Sequence, residues 1–254
     1  MYNMPVLDKN INEIVLTRIK EWFKRTKIKK AIINISGGAD STYVAYALVK
    51  ALGKKKVYGI LQPNGKQKDI SYAKEVVSNL GIDYEIVNIK PIFDKYMRTL
   101  MSKNEDLYIN LAPRIRMTVA YARANEMKGA VIGTGNASER YIGFFTKFGD
   151  GASDFNPISD ICKTDLIQAG IDMGIPEKFM KKTPADGLTG KTDEEKYGFS
   201  YQVLDTYIKT GICNNNRIKN KIDKMNFNAQ HKLWFFRFCS LCFVKKTENY
   251  YWEK

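Results

Sequence analysis

The hexapeptide Ser36-Gly37-Gly38-Ala39-Asp40-Ser41 has the residue types of a phosphate site. Adjacent glycines let the backbone turn tightly and bring N–H groups against an anion. The segment follows a short apolar run, residues 31–35, and opens a helical pattern over 41–52. A strand-to-helix turn of this kind lies at a helix N-terminus, where unpaired amides and the dipole favour negative charge. Ser36 and Ser41 add hydroxyl donors. Asp40 would repel a phosphate unless a divalent cation stood between them, which points to magnesium. The loop has neither the G-x-x-x-x-G-K-[ST] pattern of a Walker A site nor the G-x-G-x-x-G of dinucleotide folds. An ordinary capped turn accounts for Ser-Gly-Gly alone, and is a weaker account of the whole hexapeptide between strand and helix.

Three further segments carry charge where chemistry would use it. Glu139 stands in Gly133-Thr134-Gly135-Asn136-Ala137-Ser138-Glu139, just after an apolar run at 130–132. Asp40 and Glu139 can therefore face one site, each close to the end of a strand. Lys163 follows a proline-containing loop and opens a helix over 164–173, an end where a lysine gains nothing from the dipole and where an anion would use it. Arg114 and Arg116 lie in Asn110-Leu111-Ala112-Pro113-Arg114-Ile115-Arg116-Met117. Their guanidinium forks suit phosphates or a carboxylate; taken alone, Arg114 reads equally well as a surface residue on the first turn of a helix.

The elements that must position these groups alternate. Residues 7–22 carry Leu7, Ile11, Ile14, Val15, Ile19 and Trp22 at helical spacing. Strands are expected at 31–35, 57–61, 84–89 and 130–132, with helices at 41–52, 70–80 and 114–127 between them. Gly53 and Gly81 are placed to end the first two of those helices. Short connections between alternating strands and helices imply a doubly wound, mainly parallel sheet with helices on both faces, crossing over right-handed. Ligands then sit beyond the carboxyl ends of the strands, where Asp40 and Glu139 fall. Residues 149–190, rich in Gly, Pro, Asp and Lys with one clear helix, read as a functional loop. The 254 residues are expected to form a single domain, with 214–254 as a divergent tail.

A net charge of +14 attracts anions, among them ATP, pyrophosphate and nucleic acid. The lysine clusters read as solvated surface, and basic and aromatic residues do not alternate at a stacking spacing, so a nucleic-acid partner is not expected. No run is long and apolar enough to span a membrane, and the first residues lack the order of a secretory signal, so a cytoplasmic protein is expected. The four cysteines form no disulfide framework. Cys239 and Cys242 make a CxxC that could be redox-active or half of a zinc site, but Cys213 and His231 supply no paired spacing, and incidental thiols are the simpler reading.

SGGADS resembles the pyrophosphatase loop of enzymes that split ATP into AMP and pyrophosphate, a superfamily that includes NAD, GMP, asparagine and argininosuccinate synthetases and tRNA-thiolating enzymes. That resemblance implies adenylation without naming the acceptor. The run GTGNASE, then Gly143-Phe144-Phe145-Thr146-Lys147-Phe148-Gly149-Asp150-Gly151, then Asp154, Asn156-Pro157 and Lys163-Thr164, resembles NAD synthetases. So do Lys191-Thr192-Asp193-Glu194-Glu195 and Gly198-Phe199-Ser200-Tyr201. The resemblance extends from about Ile11 to Tyr207.

It implies a ligase that joins ammonia to deamido-NAD through an acyl adenylate, with ATP as co-substrate and magnesium held by Asp40 and Glu139. ATP would be bound by Asn34, Ile35, Ser36, Gly37, Gly38, Ala39, Asp40, Ser41, Thr134, Lys163 and the loop at Ala185, with Asp40 and Lys163 catalytic. Ala185, in Pro184-Ala185-Asp186, stands where the family often has Ser or Thr, so a hydroxyl contact is missing there. Deamido-NAD would be bound by Arg114, Lys147, Asp154, His231 and Lys232. A homodimer is implied, with the dinucleotide near its interface. The stretch ahead of the phosphate loop is short and holds no cysteine nucleophile, so free ammonia is the expected donor. After His231-Lys232 the chain runs Leu233-Trp234-Phe235-Phe236-Arg237-Phe238, without the prolines usual in the family. A tRNA-modifying enzyme with the same ATP loop is the competing reading; it needs catalytic cysteines and a nucleic-acid-binding appendage, and neither is evident. A non-catalytic nucleotide-binding protein is disfavoured because both Asp40 and Glu139 are present.

Overall fold

The computed structural model describes residues 6–66, 70–101, 104–182 and 192–243, with side chains through 233. Four parallel strands, β1 (Lys30–Asn34), β2 (Val57–Leu61), β3 (Asp83–Ile86) and β4 (Gly129–Ile132), form one sheet in the order β3-β2-β1-β4. In β1 the register pairs Ile32 with Tyr58 on one side and with Val131 on the other. The three central residues of β1 are buried, as expected for a strand covered on both faces.

The two faces carry different helices. Ala31 and Ile33 pack with α1 (Ile11–Thr26) and α2 (Ala39–Leu52), alongside α3 (Ile70–Leu80), α7 (Lys163–Asp172) and α8 (Glu177–Met180). Ile32, Ile60 and Val131 point the other way, onto Met117, Ala120 and Ala124 of α5 (Glu105–Met127). This is the expected doubly wound arrangement. The direction of the winding reverses between β1 and β4, so the loops that leave these two strands flank a crevice at the switch point, where such sheets bind ligands.

Several boundaries differ from those read in the sequence. The third strand ends at Ile86, after which Val87 and Ile89 still donate their amides to Leu61 and Pro63 at 2.9 Å, continuing the line without a ladder. A helix not expected, α4 (Lys90–Leu100), follows with Pro91 in its first turn. Helix α5 begins well before 114: Asn104 caps it, accepting from the Leu107 amide at 3.1 Å, and Pro113 sits inside. Proline removes one hydrogen bond from a helix without ending it when packing holds both sides, and Leu111, Ala112 and Ile115 are all buried around Pro113.

A third layer stands against the carboxyl end of β4. It comprises α6 (Ala137–Ile142), α9 (Asp193–Tyr197), α10 (Tyr201–Thr210) and α11 (Asn216–Phe243), gathered around Tyr141, Tyr197, Tyr201, Leu204 and Ile222. Helix α11, in the segment expected to be a divergent tail, packs into this layer. Asn226 donates to the Tyr141 carbonyl at 2.7 Å, and Ala229 is so close to Gly143 that a Cβ there would lie 2.4 Å from the alanine methyl. Pro184, Ala185, Asp186 and Lys191, and the side chains of Trp234, Cys239 and Cys242, lie outside the described residues. No helix among the described residues is long and apolar enough to cross a membrane.

Candidate active site

The phosphate loop joins β1 to α2. Gly37 has φ +76, and a Cβ on it would meet the Ala73 amide nitrogen at 2.7 Å, so the close passage over α3 admits glycine alone. Gly38 is the N-cap of α2 and brings no side-chain cap, which leaves the first-turn amides to an anion. The hydroxyls of Ser36 and Ser41 lie 3.0 Å apart, and the Ser36 hydroxyl accepts from the Gly38 amide at 3.2 Å. Asn34 ends β1 and accepts from Gln62 at 2.7 Å; Ile35, buried, donates its amide to the Ile60 carbonyl.

Asp40, in the first turn of α2, is the meeting point of three elements. One carboxylate oxygen accepts from the Asn136 side-chain Nδ2 at 2.8 Å, and the other takes the Lys163 ammonium. Asn136, fully buried, is the N-cap of α6, where it accepts from the Glu139 backbone at 2.9 Å while the Glu139 side chain accepts from the Asn136 amide at 3.3 Å. This capping box fixes Glu139 beside Asp40. Burial raises the Glu139 carboxyl well above its ordinary 4.5, the Asp40 charge raises it further, and Lys163 opposes both.

Lys163 is the first residue of α7, and its side chain is 3% exposed. Burial disfavours its charge, but the Asp40 and Glu139 carboxylates outweigh that and hold it protonated. The Tyr201 ring centroid lies 5.6 Å from its Nζ, and the Tyr201 hydroxyl donates to buried Asp193 at 3.3 Å. Thr134 follows β4 in a loop braced by Asn156, which donates to the Gly135 carbonyl at 2.9 Å.

A second group of the expected residues lies beyond α6, where the chain from Gly143 to Gly151 folds back on itself. Thr146 donates its amide to Asp150 and its hydroxyl to Asn110 of α5, both at 2.9 Å. Arg114, exposed on α5, donates to the Lys147 carbonyl at 3.2 Å. Phe148 is exposed with φ +62, a strained conformation for an aromatic residue. Tyr121, Phe145, Lys147, Phe148, Gly151, Ala152 and Ser153 line a cavity of about 100 Å³. Asp154 accepts from the Val131 amide at 2.8 Å on the outer edge of β4. Lys232 reaches back from α11 and donates to the Gly143 and Phe145 carbonyls, each at 2.7 Å, so it clamps this loop. His231 is exposed on the same helix, its Nδ1 2.9 Å from the Asn228 carbonyl oxygen.

The sequence family described as NAD synthase matches residues 11–239. This chain belongs to that family. The NH(3)-dependent NAD(+) synthetase of Pyrococcus furiosus is 39% identical over 235 residues, which cover 87% of this chain and 91% of the relative. That of Pyrococcus horikoshii is 44% identical over 193 residues, covering 75% of each. Among solved structures, NMN synthetase from Francisella tularensis superposes with a TM-score of 0.82 at 29% identity, over 89% of this chain and 95% of that one. The NH3-dependent NAD synthetase from Campylobacter jejuni superposes with a TM-score of 0.73 at 24% identity, over 89% and 96%, which is a likeness of fold.

Within this NAD synthase fold, Asp40, Glu139 and Lys163, together with the Ser36–Ser41 loop, converge on one end of the sheet; Arg114, Lys147 and Lys232 gather beside the aromatic cavity. Sequence reading gave no role to Asn136, Asp193, Ser138 or Asp205. Asn136 had a local signal, since Asn-x-x-Glu ahead of a helix is a capping-box pattern. Asp205 had none, because an acidic residue in an amphipathic helix reads as solvated.

The raised Glu139 carboxyl sets a pH dependence for the free protein. Between about 4.5 and the raised value the native state keeps a proton there that the unfolded state has released, so this group's contribution to stability is full at low pH and is lost as pH rises through the raised value. Glu139→Gln keeps the capping acceptor and removes the charge. In EDTA at pH 8 it should raise Tm by about 2–4 °C, the size of roughly 1 kcal/mol. The gain should shrink toward pH 5, as thermal unfolding across that range will show. A lower Tm for the variant at pH 8 would contradict this electrostatic picture.

Proposed function

We propose that this chain is an ammonia-dependent NAD synthetase that activates the carboxylate of deamido-NAD with ATP. The observation that carries the chemistry is the meeting of Asp40, Glu139 and Lys163 over the amides of the phosphate loop. The nicotinate carboxylate oxygen attacks the α-phosphorus, the α–β phosphoanhydride bond breaks, and pyrophosphate leaves. Ammonia then attacks the acyl carbon, gives up a proton, and AMP departs with the former carboxylate oxygen. No side-chain nucleophile is needed: the work is positioning and charge stabilisation. The Ser36 and Ser41 hydroxyls and the open amides at the start of α2 hold the departing pyrophosphate, and Lys163, kept charged, offsets its growing negative charge. Arg114, Lys147, Lys232 and Asp154 border the place for the dinucleotide, whose aromatic base suits a cavity walled by Tyr121, Phe145 and Phe148.

The donor set suits magnesium. Asp40 and Glu139 are hard oxygen ligands whose mutual repulsion a cation relieves. Among the described residues no cluster of three or more His, Cys, Asp or Glu could hold a metal alone, so the ion would arrive with the nucleotide and complete its shell from phosphate oxygens and water, as magnesium commonly does. Bound there, it would neutralise phosphate charge during attack at the α-phosphorus.

A homodimer is part of this reading. Tyr96, Leu100 and Met101 on and just after α4, Tyr108 on α5, and Tyr84 and Ile86 on edge strand β3 are all exposed. A second copy would cover such a surface. The fold overlap with the Francisella tularensis enzyme supports a second reading, in which nicotinate mononucleotide is the acceptor.

Incubation with ATP, magnesium, ammonium and deamido-NAD should yield NAD, AMP and pyrophosphate in equal amounts, with much slower turnover when nicotinate mononucleotide replaces the dinucleotide. Asp40→Asn and Lys163→Met should each lower kcat by about 100-fold or more. Faster amidation of the mononucleotide would favour the second reading, and ATP cleavage that requires tRNA would refute both. Sedimentation equilibrium should give twice the chain mass, and Leu100→Asp/Met101→Asp should shift it toward the monomer; a monomeric wild type rules out the dimer.

A further inference from the structure

The N-terminus of α7, which presents Lys163, is capped from a distant part of the chain. Its own N-cap, Cys162, makes no side-chain cap. Instead the Thr164 amide and hydroxyl both donate to one carboxylate oxygen of Asp205, each at 2.8 Å. The Lys163 amide donates to the Ser138 hydroxyl oxygen at 2.9 Å, and that hydroxyl donates to the other Asp205 oxygen. Asp205 is 1% exposed and Ser138 is fully buried.

The chemistry of the position calls for a carboxylate. Three donors converge on Asp205, and an ionised carboxylate only accepts, with lone pairs enough for all three. Its charge also complements the positive end of α7. The two side chains it grips adjoin the site's charged groups in sequence: Ser138 immediately precedes Glu139, and Thr164 immediately follows Lys163. One buried group on α10 therefore ties the first turn of α6 to the first turn of α7.

We propose that Asp205 is a positioning residue for adenylation: through Ser138 and Thr164 it holds Glu139 and Lys163 at the separation that the ATP phosphates and their metal require. This rests on the adenylating reading above. Asp205 itself touches neither reacting atoms nor metal. Replacing it with Asn turns an N–H toward groups that already donate, which loosens this spacing and leaves the dinucleotide side, built on α5 and the 143–151 loop, untouched.

The test is Asp205→Asn beside Asp223→Asn as a control. Asp223 of α11 accepts from the Tyr207 hydroxyl of α10 at 2.6 Å and from Lys219 at 2.8 Å, so its loss weakens the same layer without reaching the site. Asp205→Asn should lower kcat about 10–100-fold, as loss of groups that orient metal ligands commonly does. It should weaken binding of Mn2+ with the α,β-methylene analogue of ATP by a similar factor, while KM for deamido-NAD stays within about twofold of wild type. Asp223→Asn should lower Tm and keep both kcat and Mn2+–analogue affinity. The binding arm needs no turnover, so it stays readable if the assigned reaction is wrong. Wild-type Mn2+–analogue affinity in Asp205→Asn overturns the proposal, as does a loss shared equally by Asp223→Asn. Should Asp205→Asn not fold, Ser138→Ala removes one arm of the network: a kcat decrease of about tenfold with deamido-NAD KM unchanged supports the proposal, and a wild-type rate overturns it.

Discussion

An ammonium ion taken out of water costs several kcal/mol unless opposite charge and good geometry meet it. Lys163 is buried to that degree, and it stays charged because Asp40 binds it directly while Glu139 stands nearby. The need to gather one cation and two carboxylates at a single point fixes much else. Asp40 is in the first turn of α2 and Glu139 in the first turn of α6, so each lies just past the end of a strand. Those strands, β1 and β4, are neighbours. The sheet order thus does chemical work, placing two loops that are far apart in sequence on either side of the crevice where the winding reverses.

The same arrangement explains why the site has a polar scaffold behind it. Two carboxylates and a lysine brought together would find many arrangements unless their backbones were held. Asn136 bridges Asp40 to Glu139, and Asp205 ties the start of α7 to the residue before Glu139. On the far side of α6 the chain from Gly143 to Gly151 is held by Lys232 through two carbonyls. The cluster of Asp40, Glu139 and Lys163 and the aromatic cavity are therefore joined by one short helix, which suits a reaction in which a bound carboxylate must reach the α-phosphorus of a bound nucleotide.

Much of this was legible in the residues. The apolar run at 31–35, the glycine pair and the serines of SGGADS gave β1, the phosphate loop and α2 to within two residues, because strand burial and a helix N-terminus are local properties. The doubly wound sheet followed from alternation. Helix α4 and the early start of α5 were not legible: α4 carries Pro91 in its first turn, and α5 runs through Pro113 because packing holds both sides of it. The packing of helix α11 was not legible either, because its fit depends on Gly143, far away in sequence. Asn136 and Asp205 were missed for a related reason: their partners are contributed by other elements, and a sequence shows a side chain without showing what it meets. The resemblance to NAD synthetases supplied the acceptor, which no spacing of residues could have named.

The route of one oxygen atom tests the central claim most directly. Deamido-NAD labelled with 18O in its nicotinate carboxylate, turned over with ATP, magnesium and ammonium, should yield AMP carrying one labelled oxygen on phosphorus, read by 31P isotope shift or mass spectrometry, with pyrophosphate unlabelled. Unlabelled AMP, or ADP and labelled orthophosphate in its place, would contradict attack of the carboxylate on the α-phosphorus at the site formed by Asp40, Glu139 and Lys163.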